Sequence, residues 1–304
     1  MRGEHRENTR VAILLVLGFT SVVSLNGVAA KLLGAEGVSA PQITVTRFLI
    51  QVIVAGTVLA ASGIRLHRPP DPAWAFLLRG VLITIGSVAI YAGLAYVPLA
   101  EAIAVLLASP LVITAGSALV LGERVGPWRW SAVAAGFAGA LMIVGPNFAA
   151  IGPAAALPAL AAVCFAASSL LTRRYAVHGS AFVFQFTTAA TGCAILLPLL
   201  AVGAGFSVEA IAPVWPTWTE TGLLAVVGIL GMITNLMLTQ AFRIAPPSAL
   251  APFMYLEIVG AGIAGYLVFA DVPNLRSLIG AAIVVGAGLV VWWRESAVAR
   301  RTSG

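Results

Sequence analysis

Few residues of this chain could do chemistry, and most of them stand where a polar group is costly. Glu257 lies near the centre of Ala249–Val272 (ALAPFMYLEIVGAGIAGYLVFADV), a stretch apolar for about the length needed to cross a bilayer. A carboxylate at that depth costs about 2.5–3.5 kcal/mol on insertion scales, so it implies a partner, a watery cavity or a function. Unpaired, it would bind a proton or a substrate ammonium group; paired, it would lock one part of the molecule to another. Phe253 shares its helical face, as do Gly260 and Ala264, whose small side chains leave room. Tyr255 points elsewhere and is kept as a candidate because helix ends bend. Asn235 and Thr239, one turn apart, occupy one face of another apolar run, and Asn26 lies deep in the first. A buried amide needs a partner, either a neighbouring helix or a ligand. Ser87, Tyr91 and Tyr96 are spaced by four and five and share a broad face. Tyrosine offers an apolar ring and one hydrogen-bonding tip, which suits a pocket for an amphipathic solute, although Tyr96, near an end, reads as a belt residue.

The remaining charged and breaking residues have plainer explanations beside the functional ones. Lys31 lies near the far end of its run, where its stem can snorkel to the interface, a reading favoured over substrate contact. Arg47 lies within a turn or two of an end; it could anchor lipid phosphate, serve structure, or pair Glu257 or a substrate carboxylate. Arg79 belongs to the edge. Glu101 follows Pro98 at a helix start, where an acid complements the helix dipole, and it is also a candidate coupling or gating group. Ser109-Pro110 interrupts its run, and because proline frees the carbonyl four residues before it, that point offers either a ligand acceptor or a kink.

These side chains belong to a polytopic membrane protein. Of 304 residues, 60% are hydrophobic and only 9% charged, against roughly 25% in soluble domains. Apolar runs occupy Val11 to Leu33 and about 40–63, 73–97, 99–121, 128–145, 153–172, 180–202, 218–242, 248–270 and 275–293, which predicts ten transmembrane helices. The first run is too long for a signal-peptide core. Arg65, Arg68, Arg124, Arg129, Arg173, Arg174 and Arg243 fall in links on the side of the N-terminal tail, whereas the opposite links are poor in basic residues apart from Arg276. That bias predicts both termini in the cytoplasm and the chain in a bacterial inner membrane. The net charge of +6 is thus a topology signal and does not point to nucleic acid.

Enzyme chemistry has no constellation here. Asp71 and Asp271, the only aspartates, both lie at helix ends, which excludes an intramembrane aspartyl protease, and no histidine is placed to activate a serine. The isolated histidines His5, His67 and His178 and the two apolar-run cysteines Cys164 and Cys193 make no metal site. Gly260, Gly262 and Gly265 match GxGxxG but lack the soluble strand and acidic ribose ligand of a dinucleotide fold, so no cofactor is expected and close helix packing explains them.

The chain divides into similar halves, residues 1–150 and 151–304. At an offset of 147 or 148 residues Glu123 meets Asp271, Gly139 meets Gly286, and Pro110 meets Glu257. With five helices in each half, the second must enter the membrane inverted, an arrangement many secondary transporters use.

Tyr96-Val-Pro-Leu-Ala-Glu-Ala102, Ser109-Pro110, Leu121-Gly-Glu-Arg124 and Gly136-Phe-Ala-Gly139 resemble the EamA-type repeat of the drug/metabolite transporter superfamily. So do Ala251-Pro-Phe-Met-Tyr255-Leu-Glu257, Gly265-Tyr-Leu-Val-Phe-Ala-Asp271-Val-Pro273, Gly280 and Arg294-Glu295, with Asp271 where the family more often has Glu. The resemblance implies an all-α membrane fold of two inverted five-helix repeats around a central cavity, lined chiefly by the first, third, fourth, sixth, eighth and ninth helices. On that outline Ser168, in the run Cys164 to Ser169, gives a mildly polar surface opposite Ser87, and Glu123 and Asp271 are gate or packing elements. The implied activity is secondary transport of a small molecule by alternating access, with a proton as candidate coupling ion. Export of amino acids, as by the YddG-type aromatic amino-acid exporters, is the leading expectation. Uptake of a vitamin or nucleoside-like solute and a passive channel are the alternatives.

Overall fold

The computed structural model describes residues 2–62, 73–120, 126–175, 181–206, 208, 211–244, 250 and 253–302. Its regular structure is helical throughout, in the order α1 (Arg2–Ala35), α2 (Ala40–Ala61), α3 (Ala73–Leu94), α4 (Leu99–Leu106), α5 (Ser109–Val120), α6 (Pro127–Ile151), a 3-10 turn (Gly152–Ala156), α7 (Leu157–Tyr175), α8 (Ala181–Phe206), α9 (Trp218–Ile244), α10 (Leu256–Phe269) and α11 (Leu275–Thr302). Eight spans are long and apolar enough to cross a membrane; one of them, Pro127–Thr172, holds both α6 and α7, and the apolar Leu256–Phe269 is shorter. Counting α4 and α5 as one pass gives ten among the described residues. Leu14, Ile53, Leu141, Leu267 and Leu275 are each more than three-fifths exposed, an outward apolar surface that suits lipid and not water.

Three elements differ from the sequence expectation. The run 99–121 is two helices, because Pro110 cannot donate to the Leu106 carbonyl and the chain turns at Leu107–Ala108. The freed carbonyl is taken by the Ser109 hydroxyl at 2.5 Å, so it is not open to a ligand. Helix α6 runs through Pro146 to Ile151, past the expected link, and Gly152 with φ 71° ends it. Helix α10 starts at Leu256, behind a turn at Tyr255. At the 147-residue offset this turn falls on the Leu107–Ala108 break, so the fourth helix of each half is interrupted at the same place.

The packing repeats with the sequence. Helix α1 packs most extensively on α9, and its counterpart α7 on α3; α1 also packs on α10, and α7 on α5. The pairs α2 with α8 and α6 with α11 join equivalent helices of the two halves. Where α6 crosses α11, a Cβ on Gly139 would lie 2.7 Å from the Gly280 carbonyl, and one on Gly280 would lie 2.6 Å from that of Gly139. Only glycine allows so close an approach, and without a hydrophobic drive in lipid such contact is what holds helices together. Links following α1, α3, α6, α8 and α10 gather at one end, called the far end below. There the Gln42 amide donates to the Val214 carbonyl at 2.7 Å and accepts from the Val214 N–H at 2.9 Å. Leu33, Val38, Leu94, Val97 and Leu99 are all buried in one cluster, which fills the interior between the halves at this end.

Candidate functional site

Paired breaks in the same helix of both repeats are the strongest structural pointer to a transporter's binding region, because unwound backbone is tolerated in a membrane only where protein or a cavity surrounds it. Glu257 stands in the first turn after the second break. It is 6% exposed, and among the described residues neither a hydrogen bond nor an ion pair reaches its carboxylate. It shares the inward face of α10 with Ala261 and Gly265, while Gly260 beside it lies against Ser24 of α1. Phe253 packs at the opposite end from the far cluster, with Ala12 and Val16 of α1, Ala241 and Leu250.

One turn deeper in the bundle, three candidates from different helices meet. Asn26 of α1 donates through Nδ2 to the Val227 carbonyl of α9 at 2.8 Å. Its Oδ1 accepts from the Tyr91 hydroxyl of α3 at 3.1 Å, and that hydroxyl accepts from Nη1 of Arg47 on α2 at 3.2 Å. Arg47 therefore meets Tyr91 where the sequence left Glu257 open as its partner. The arginine passes over Gly231 of α9, where a Cβ would lie 2.9 Å from Nε. Arg47 Nε and Gln51 Nε2, one turn apart on α2, are buried donors with no acceptor among the described residues. In a low-dielectric interior a donor left unpaired is expensive, so this pair can receive acceptor groups from a solute.

The other candidates are spread around this network. Asn235 is half-buried, one turn from Gly231, and its amide donates to the Gly231 carbonyl of its own helix at 2.8 Å. Ser168 likewise bonds its own helix, at the Phe165 carbonyl, 2.8 Å away. Ser87 is fully buried beside Gly86, which packs on Phe165 and Cys164 of α7, and its hydroxyl has no partner among the described residues. The Tyr255 ring packs on Gly288 of α11, and Pro110 is exposed at the start of α5. Glu101 is buried in the first turn of α4, on the side facing α10 and α11. Tyr96 is 58% exposed, as a belt residue should be. Glu123 lies outside the described residues.

Two polar ties differ from, or escaped, the sequence reading. Lys31 does not snorkel outward: its ammonium meets Asp271 Oδ2 at 2.5 Å and lies 4.7 Å from the Phe269 ring centroid. The same oxygen accepts from the Leu99 N–H at 3.3 Å, so this tie fastens α1, α4 and α10 at the far end. Gln42 and Gln51 were legible as amides inside an apolar run and passed over; their partners and neighbours lie too far along the chain to be inferred. At the other end Arg79 is bonded to Thr172 of α7 at 2.9 Å and to Thr188 of α8. Among the described residues no group of three histidine, cysteine or acidic residues could hold a metal ion.

Known proteins agree with this architecture. Over 240 residues, 78% of this chain and 74% of its counterpart, the sequence is 37% identical to a riboflavin transporter of Rhizobium johnstonii. It is 28% identical to an S-adenosylmethionine uptake transporter of Rickettsia bellii across 90% of both chains. It is also 30% identical to a pseudopaline exporter of Pseudomonas aeruginosa, over 82% of this chain and 84% of that one. The model of the EamA-like transporter family matches twice, at residues 10–145 and 152–293. With both halves of the sequence matched and both halves of the packing repeated, the chain is a small-molecule transporter belonging to the EamA-like transporter family.

Proposed function

We propose that this protein takes up a heteroaromatic, acceptor-rich metabolite of the riboflavin kind across the inner membrane by alternating access. The observation that carries this reading is the 37% identity to a protein named a riboflavin transporter. The site is compatible with it: Tyr91 presents an aromatic face, and the free donors of Arg47 and Gln51 suit ring carbonyls and ring nitrogens. Amino-acid export, the leading sequence expectation, has less support, because two of the three named relatives are uptake or riboflavin transporters and none is named for amino acids. Asn26, Tyr91 and Arg47 form the solute-binding core of this reading, with Asn235, Ser87, Ser168 and Phe253 at its margins. Glu257 carries the coupling proton or a substrate charge.

The far end is the non-cytoplasmic end, and the Lys31–Asp271 pair with the packed cluster beneath it holds that side closed. The repeats divide near residue 150. The functional test is uptake of labelled riboflavin and S-adenosylmethionine into, and efflux of preloaded labelled phenylalanine from, riboflavin-auxotrophic cells without their own transporter. Saturable riboflavin entry supports the reading, and phenylalanine efflux without riboflavin entry overturns it. Orientation is tested separately by impermeant thiol labelling of Glu36→Cys from outside and Arg174→Cys from inside. Glu36 serves better than Gly37, whose φ of 86° would strain any side chain.

A further inference from the structure

The polar network at mid-depth is rich in donors and short of acceptors. Its bonds run one way, from Arg47 Nη1 to the Tyr91 hydroxyl, from that hydroxyl to Asn26 Oδ1, and from Asn26 Nδ2 to the Val227 carbonyl. Both side-chain oxygens in this series have accepted a bond. The nitrogens left over on α2, Arg47 Nε and Gln51 Nε2, are buried donors without a partner among the described residues. They stand one turn apart, and Gln51 is only 1% exposed.

The network also carries a whole positive charge that no described acid offsets. Helix α2 has no acidic residue and packs chiefly on α8, α9 and α3. Of these, α8 has no charged residue and α3 has only Arg79. The one acid of α9, Glu220, stands about three turns, roughly 16 Å, before Gly231, the residue that Arg47 crosses. Glu257 belongs to α10, which packs on α1 and α4, and Lys31 and Asp271 neutralise each other. A guanidinium with spare donors and no counter-charge is costly in a low-dielectric interior. Water relieves it only in part, because water brings two protons of its own to a place where the side-chain acceptors are already engaged. We propose that a small monovalent anion of the halide class, such as chloride, binds between Arg47 Nε and Gln51 Nε2 when no solute is bound. It accepts from both donors, needs no donor or acceptor in return, and cancels the charge. In the reading proposed above the same two donors meet the ring acceptors of the solute. Resting on that reading, anion and solute exclude each other, and solute entry releases the anion.

The test uses the purified full chain in detergent, with sodium chloride or bromide exchanged for sodium gluconate at constant ionic strength. Gluconate is too large for a buried cradle and serves as the control. The melting temperature should rise saturably with either halide, by about 2 °C or more at ten times the half-effect concentration, and should not rise with gluconate. Gln51→Leu removes one donor and should raise the half-effect concentration of chloride about tenfold. Gln51→Glu is the sharper variant. Its carboxylate, one turn from the guanidinium, takes the place of the anion, so this protein should melt at least as high as the wild type in gluconate and no longer respond to halide. Should Gln51→Leu fail to fold, Gln51→Glu carries the comparison. A halide response equal in the wild type and Gln51→Glu, or one that grows without saturating, would be a bulk salt effect and overturn the proposal, as would equal melting in chloride and gluconate. Uptake into proteoliposomes tests the competition separately: chloride should raise the half-saturation concentration of riboflavin at an unchanged maximal rate. A saturable melting response without that competition would uphold the anion and overturn the placing of the solute on these donors.

Discussion

The seams α1·α9 and α3·α7 occupy equivalent places in the two halves, yet they are held by different means. At mid-depth α1 is tied to α9 by an amide, Asn26, whose two ends are both used, on a backbone carbonyl and on Tyr91. At the corresponding depth α3 meets α7 through Gly86 against Phe165 and Cys164, and nearer the far end through Gly93 against Pro158. Duplication has kept the helix contacts and left the chemistry lopsided. Asn26, Tyr91 and Arg47 all come from the first half, while the second supplies a carbonyl at Val227 and clearance at Gly231. Helix packing in lipid needs only small residues and shape, so it survives divergence; a solute needs a particular set of donors, so one half specialises.

The largest effect should come from breaking the polar seam. Asn26→Leu leaves the Tyr91 hydroxyl and the Val227 carbonyl each short of a partner, and a buried group so orphaned costs about 1–3 kcal/mol. Uptake per folded molecule should fall by about tenfold or more, given that 1.4 kcal/mol is a factor of ten. Gly86→Val on the apolar seam should instead lower thermal stability by overpacking, roughly 1–3 kcal/mol, with near-normal uptake in the molecules that fold. Uptake rates normalised to folded protein, beside a melting curve for each variant, separate the two. Unchanged uptake in Asn26→Leu would take the binding site off this seam.

Next in size is the far-end tie. Lys31 and Asp271 keep 15% and 20% side-chain exposure, so the pair is partly screened and is worth less than a fully buried one. Lys31→Met should leave Asp271 holding only the Leu99 N–H and cut uptake several-fold, because the closed state loses its clasp. The exchange Lys31→Asp with Asp271→Lys should recover part of it, since each charge again faces its opposite. Failure of the exchange to improve on either single variant would mean that the pair matters through packing on Phe269 and not through charge.

A smaller, more diagnostic change is Glu257→Gln. The comparison here is between α10, which meets α1, and α5, which meets α7. Glu257 corresponds to Pro110; one is buried and acidic, the other exposed and a helix breaker. Glutamine keeps the shape and removes the charge that burial disfavours, so melting temperature should stay level or rise slightly. If the carboxylate carries a proton or a substrate charge, uptake should drop and lose its dependence on external pH. Wild-type uptake with an intact pH profile would remove Glu257 from the mechanism.

What the sequence revealed and what it hid follow from the range of the interactions. The ten apolar runs, the interruption at Ser109-Pro110 and the depth of Asn26 and Glu257 depend on neighbours within a few turns, and all were legible. Lys31 and Asp271 are 240 positions apart and Asn26 and Tyr91 are 65 apart, so their meeting depends on which helix faces pack together. Local rules gave Lys31 a snorkelling reading because the opposing acid was invisible to them. The second interruption, at Tyr255, has no proline at its centre, and only its position in the repeat ties it to the first.

Ser87 of α3 and Ser168 of α7 belong to the two helices of the apolar seam, and they should separate packing from binding by sign. Ser168 is satisfied by its own helix at the Phe165 carbonyl, a bond alanine does not need, so Ser168→Ala should shift stability by less than about 0.5 kcal/mol. Ser87 is different. Its hydroxyl is fully buried and has no partner among the described residues, so in the empty protein it carries a desolvation cost with no return. Removing it should stabilise the protein by up to about 1 kcal/mol, which thermal unfolding in detergent would register as a small upward shift. If the solute supplies the missing partner, that gain is reversed when it binds: Ser87→Ala should melt higher alone, gain less from added riboflavin than the wild type, and show a higher half-saturation concentration for uptake at an unchanged maximal rate. An equal ligand-induced shift in both proteins would leave the hydroxyl as a packing defect of the α3·α7 seam and confine the binding site to the polar seam opposite.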